Sequence, residues 1–236
     1  MKYFLIVLVS FMMTQCSFAK SPEVTAVYNR EMAIPEAVKK ITDPYMRQLT
    51  IEKLKERNIK CLMFLSDNKY AFIPDGVADE NVNVNGDGSI YVNLKDNQMA
   101  VQRSILEKSF VVEQPFKMEQ WDIMPAETKT INGKMCKKAV SRNDSMVVAW
   151  FCDEIPCVMG PNGYGGLPGL IMQLETSLAT YTLTSFKANP TSTLNIVNNQ
   201  KGNKISQTEY QRVRAEKLRA LGASSTGGVQ VIKMGQ

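Results

Sequence analysis

The apolar positions change rhythm along the chain, and each rhythm predicts an element. After a short polar start, residues 34–58 have helical character: Tyr45, Leu49 and Leu54 roughly share a face. Asp43 can cap a helix that begins with Pro44, a position where the missing N–H costs nothing. KCLMFLSDNKYAFI (60–73) then reads as two strands around a Ser-Asp-Asn-Lys turn. In DENVNVNGDGSIYVNLKD (79–96), Asn85-Gly86 is a tight-turn signal, because both residues tolerate positive φ. Beyond it, Ile90, Val92 and Leu94 alternate with Tyr91 and Asn93, as on a half-buried strand, so a hairpin is expected here. Short strands follow at 99–102, 110–113, 134–140, 145–152, 170–175, 180–186 and 193–197. A helix closes the chain over 206–222, with Ser206 and Glu209 as a capping box and Gly222 as its stop. Its apolar stripe is Tyr210, Val213, Leu218 and Leu221.

Strands this short and regularly spaced predict an antiparallel meander. The expected fold is therefore α+β, mainly β, with an N-terminal and a C-terminal helix. No internal repeat or second domain interrupts the pattern, so one domain is expected over 20–222, with a flexible tail at 223–236.

The first residues change the compartment. A lysine at position 2, an apolar run and Ser17-Phe18-Ala19 form the pattern of a secretory signal over 1–19, cleaved after Ala19. Lipidation of Cys16 is the rival reading, disfavoured by the glutamine directly before it. The run is too short to span a bilayer. The expectation is a protein exported to the periplasm or cell envelope. Net charge is +5, but the Lys and Arg residues are scattered among acids, so no basic patch points to nucleic acid. Beyond the signal lie Cys61, Cys136, Cys152 and Cys157, an even number that suggests disulfides in an exported chain. Of the three possible pairings, Cys152 with Cys157 across the Asp-Glu-Ile-Pro bend is favoured, leaving Cys61 for Cys136.

Candidate chemistry is limited by what is missing. The chain has no histidine, which excludes Ser-His-Asp and Cys-His nucleophiles and histidine zinc sites. Asp153 and Glu154 are adjacent, so in a strand they would point to opposite faces, and they are best read as solvated turn carboxylates. Asn81, Asn83 and Asn85-Gly86-Asp87 mimic a calcium loop, but the position that needs glutamate is Val92. Met135-Cys136 and Cys157-Val158-Met159 bring soft sulfur together, which suits Cu(I), although methionine also fills irregular cores. No cofactor is expected.

GPNGYGGLPGLIMQLET (160–176) is the densest turn signal in the chain. It lacks the lysine and Ser/Thr of a phosphate loop and precedes a strand rather than a helix. Gly160, Gly165, Gly166 and Gly169 supply unusual backbone angles, while Pro161 and Pro168 stiffen the approach. Such a corner would aim Leu167, Leu170 and Ile171 at a core or groove, with Trp121, Trp150, Phe151 and Tyr164 as further candidates to line it.

These pieces resemble the GLPGLI family, exported proteins common in Bacteroidetes. WDIMPAETKTINGKMCKKAV (121–140), MVVAWFCDEIPCVMGPNGYGGLPGLI (146–171) and KGNKISQTEYQRV (201–213) match its elements in order. Cys152 and Cys157 flank the Glu-Ile-Pro element, where other residues are expected in most members. The resemblance implies a strongly curved antiparallel sheet, similar to the half-barrels of periplasmic lipoprotein carriers. The function expected is a non-enzymatic binding or carrier module, holding an apolar ligand, lipid or partner peptide on the concave face. The alternatives are a soft-metal protein using Cys136, Cys152, Cys157 and nearby methionines, or a structural partner of an outer-membrane complex.

Overall fold

The computed structural model describes residues 23–76, 81–84, 86–188 and 194–220. The expected signal with Cys16, the turn residue Asn85, the stop at Gly222 and the tail at 223–236 lie outside the described residues. Among the described residues, fourteen strands and three α-helices follow in chain order. They begin with β1 (Val24–Met32), α1 (Glu36–Lys39), α2 (Pro44–Lys55), β2 (Ile59–Ser66), β3 (Lys69–Pro74), β4 (Asn81–Val84), β5 (Ile90–Asn93), β6 (Gln98–Ile105) and β7 (Lys108–Pro115). Next come β8 (Trp121–Ile131), β9 (Lys134–Ser141), β10 (Val148–Cys152), β11 (Leu170–Glu175), β12 (Ala179–Ala188), β13 (Asn195–Asn198), β14 (Asn203–Ser206) and α3 (Gln207–Ala220).

Twelve strands form one open curved sheet in the order β14-β7-β6-β5-β3-β2-β1-β12-β11-β10-β9-β8. It contains two meanders, β2-β3-β5-β6-β7 and β8 to β12, and β1 pairs antiparallel with β2 on one side and β12 on the other. The N-terminal strand is therefore the seam that makes one sheet of two. Curvature follows from connectivity. Ten ladder steps separate β7 from β8, about 48 Å in a flat sheet at ~4.8 Å per strand. Yet residues 116–120 join them, a link that reaches only about 20 Å when fully extended. The sheet has to roll until its two ends approach each other.

The concave face is filled. Tyr28, Tyr70, Phe72, Phe151, Met172 and Leu174 lie in one continuous core. Behind β2 and β3, a second cluster of Leu62, Phe64, Ala71 and Ile73 packs under Val82, Val84 and Ile196 of β4 and β13. Covered on both faces, β2 reads as a continuous apolar run rather than an alternating one.

Several expectations need correction. Residues 79–96 do not form a hairpin: β4 pairs in parallel with β13, while β5 pairs with β3 and β6. β14 is also parallel, to β7, so the meander is not wholly antiparallel. The Ser-Asp-Asn-Lys turn expected between β2 and β3 does form, with Asp67 and Asn68 both in the left-handed region. The helical stretch at 34–58 divides into α1 and α2. Asp43 caps α2 as expected, accepting a 2.8 Å bond from the Met46 amide, but no residue of α2 is buried. In α3 the Ser206 hydroxyl accepts from the Glu209 amide at 3.2 Å, while the Glu209 carboxylate bonds Arg212. Leu221 of its expected stripe lies outside the described residues, and α3 itself buries none, with Tyr210 meeting Phe110 edge-on.

Candidate functional site

Three aromatic side chains hold the glycine-rich corner by its backbone. The Tyr70 hydroxyl donates to the Gly160 carbonyl at 2.8 Å and accepts from the Gly163 amide at 2.9 Å. The Tyr28 hydroxyl donates to the Ile171 carbonyl, and the Trp121 indole donates to the Gly165 carbonyl. Burial raises both tyrosines well above 10, so they stay neutral donors across the physiological range. Pro161–Gly163 makes a single 3-10 turn closed by the Tyr164 amide on the Pro161 carbonyl at 3.2 Å, and the Gly160 amide donates back to the Tyr164 carbonyl at 2.6 Å.

The corner also needs its glycines. Gly166 sits at φ +92°, and a Cβ there would come within 2.6 Å of the Glu119 carbonyl. At Gly169 a Cβ would collide with the Cys152 carbonyl. Each is a point where backbone lies directly on backbone, which only glycine allows.

Between this corner and β6–β7 lies a cleft of about 440 Å³, within the roughly 300–1,000 Å³ range of small-ligand pockets. Ile90, Met99, Val101, Phe116 and Tyr164 provide its apolar surface. Arg103, Gln114, Lys117, Glu119 and Asn162 provide the polar one. Its outer wall is the 116–120 link, where the ends of the sheet approach. Glu119 is fixed by the Ser141 hydroxyl at 2.8 Å and the Asn143 amide at 2.6 Å. Tyr164 packs against Trp121 with ring centroids 6.3 Å apart.

Of the residues expected to line a groove, only Tyr164 meets the cleft. Trp121, Phe151, Leu167, Leu170 and Ile171 are buried in the core. Trp150 is half-buried with the Lys129 ammonium 5.4 Å from its ring. Gly160, Pro161, Gly165, Gly166, Pro168 and Gly169 lie in the segment that joins β10 to β11. Tyr28, Tyr70, Met99 and Phe116 carry the site and were not singled out in the sequence. For Tyr28 a signal exists, its alternation with Val24 and Ala26 in β1, but Asn29, Arg30 and Glu31 next to it obscure it.

The cysteines depart from expectation. All four are buried free thiols, and neither Cys152–Cys157 nor Cys61–Cys136 is bonded. Cys157 donates to the Met159 carbonyl at 3.0 Å, and Cys61 lies across from Tyr28 and Pro74. Burial pushes Cys61, Cys136 and Cys157 up to about 11. Among the described residues no three of Cys, Asp and Glu converge as a metal site would require. Asp153 and Glu154 are exposed and paired with Lys137 and Lys134 of β9. The Lys137 bond holds the Asp153 carboxyl below the ordinary carboxylate value. Among the described residues no helix is long and apolar enough to cross a membrane.

A family model described as a protein of unknown function (Porph_ging) matches residues 100–173. That span runs from β6 into β11 and contains the 116–120 link and the whole corner. No curated protein matches the chain.

Proposed function

We propose that the protein is an exported, non-enzymatic binding module of the GLPGLI type, working in the periplasm or cell envelope. Its ligand is an apolar group: an acyl chain of a lipid, or apolar side chains of a partner peptide. The observation that supports this reading is the cleft beside the corner, where Met99, Phe116 and Tyr164 lie beside Arg103, Lys117 and a single carboxylate, Glu119. Because core side chains fill the rest of the concave face, the ligand is confined to this cleft and not spread along the sheet. A rigid wall suits binding, since little ordering is lost when a ligand enters a preformed site. Export through the 1–19 signal belongs to this proposal.

Dodecanoate and a short apolar peptide are suitable probes, with Trp121 as reporter in a Trp150→Phe background. Trp121 touches Tyr164, so occupation of the cleft should change its emission saturably. Met99→Lys places a charge at a half-buried position of the cleft lining and should abolish the response while leaving the circular dichroism unchanged. If neither probe changes the emission, or Met99→Lys binds as the parent does, the reading is wrong.

A further inference from the structure

The register of β9 against β10 brings two cysteines together that sequence spacing keeps apart. The ladder runs Val148↔Val140, Ala149↔Ala139, Trp150↔Lys138 and Phe151↔Lys137 without a shift. The next pair along it is Cys152 and Cys136. At the other end of the ladder, the Ser141 amide donates to the Val147 carbonyl at 3.0 Å, which marks Ser141 and Val147 as a hydrogen-bonded pair. Antiparallel pairs alternate, so Cys136 and Cys152, five steps on, occupy a non-hydrogen-bonded position. There Cα atoms lie about 4.5 Å apart with side chains turned towards each other, inside the range of roughly 4.4–6.8 Å that a disulfide spans.

Two ion pairs bracket the position. Lys137 reaches Asp153, and Lys134 reaches Glu154 at 2.9 Å, so residues on either side of Cys136 are clamped to those just after Cys152. Cys152 is one of the groups that push the Cys136 thiol up, as a close neighbour would. Both side chains are fully buried in the same core.

We infer that Cys136 and Cys152 are a cross-strand disulfide site, which on oxidation locks β9 to β10 where the chain enters the 153–169 segment. The oxidant is a disulfide-bearing reagent or protein. One cysteine thiolate attacks a sulfur of that disulfide and releases one thiolate. The second cysteine then displaces the other half from the mixed disulfide. One S–S bond breaks and one forms; the protein loses two protons and two electrons, and the oxidant leaves as two thiols. Because both cysteines are buried, the exchange takes place while the strands are still closing. The product fixes the start of the segment that walls the cleft, whatever ligand the cleft holds.

The test is refolding of the full chain in glutathione disulfide, alkylation of remaining thiols, and non-reducing peptide mapping. Trypsin with a glutamate-specific protease separates Cys61 (peptide 61–69), Cys136 (135–137), Cys152 (143–154) and Cys157 (155–175). The expected product is 135–137 joined to 143–154, two hydrogens lighter than the sum of the reduced peptides. A 143–154 to 155–175 link, a 61–69 to 135–137 link, or alkylation of both Cys136 and Cys152 would overturn the inference. A Cys16→Ser/Cys61→Ser/Cys157→Ser chain supplies an independent check: after refolding it should contain no alkylatable thiol, and two free thiols would also reject the site.

Discussion

At the scale of single residues, the site is a set of backbone groups held by side chains far away in sequence. Tyr70 alone bonds two of them, the Gly160 carbonyl and the Gly163 amide. Tyr70→Phe keeps the ring and its packing but removes both bonds. Leaving buried backbone groups unpartnered costs about 1–3 kcal/mol, so the urea midpoint should fall by a corresponding amount with the slope unchanged. An unchanged midpoint would mean that the hydroxyl does not brace the corner. The corner's glycines and prolines are legible in the sequence because they are local demands of the backbone. Tyr28, Tyr70 and Trp121 are not legible as its partners, since a hydrogen bond spanning 143 residues, as between Tyr28 and Ile171, leaves no pattern in the chain.

At the scale of elements, the contrast lies between β1 and α3. β1 is paired on both sides and buries Val24, Ala26 and Tyr28 completely. α3 buries no residue. Ala26→Glu would place a carboxylate in the core beside the buried Met63, its partner on β2, and should abolish cooperative unfolding. Truncation after Ser206 should leave a cooperative transition with a modestly lower midpoint. Far-UV circular dichroism under urea distinguishes the two; cooperative unfolding of Ala26→Glu would remove the seam role of β1. Strands with clear alternation or continuous apolar runs, such as β2, β5 and β11, are readable in the sequence. β1, β8 and β14 are not, because polar residues dominate an edge strand and interrupt the seam strand. The hairpin expected at 79–96 fails for a related reason. A turn dipeptide marks where a chain reverses, but tertiary packing decides which strand it then meets.

For the whole molecule, the buried thiols link folding to pH. In the reduced protein Cys61, Cys136 and Cys157 rise from 9.0 to about 11, chiefly through burial. The unfolded chain releases these protons near 9.0, while the folded chain holds them to about 11. Their contribution is therefore complete below the unfolded value and is lost as pH rises through the folded one. Urea midpoints of the reduced protein should decline from pH 9 towards pH 11, and Cys61→Ala/Cys157→Ala should flatten that decline. A slope identical in the two proteins would show that other groups, such as the buried tyrosines, govern the alkaline limb.

The amino-acid pattern by itself determined a mainly β chain with short helices, a strand-starting rigid corner at 160–169 and the absence of histidine chemistry. These are properties of period, composition and backbone sterics, each confined to a few neighbouring residues. The tertiary structure alone decided that β1 joins two meanders, that the 116–120 link draws the ends of the sheet together beside a cleft, and that Cys136 faces Cys152. Those depend on strand order and register, which arise from contacts between residues distant in the chain.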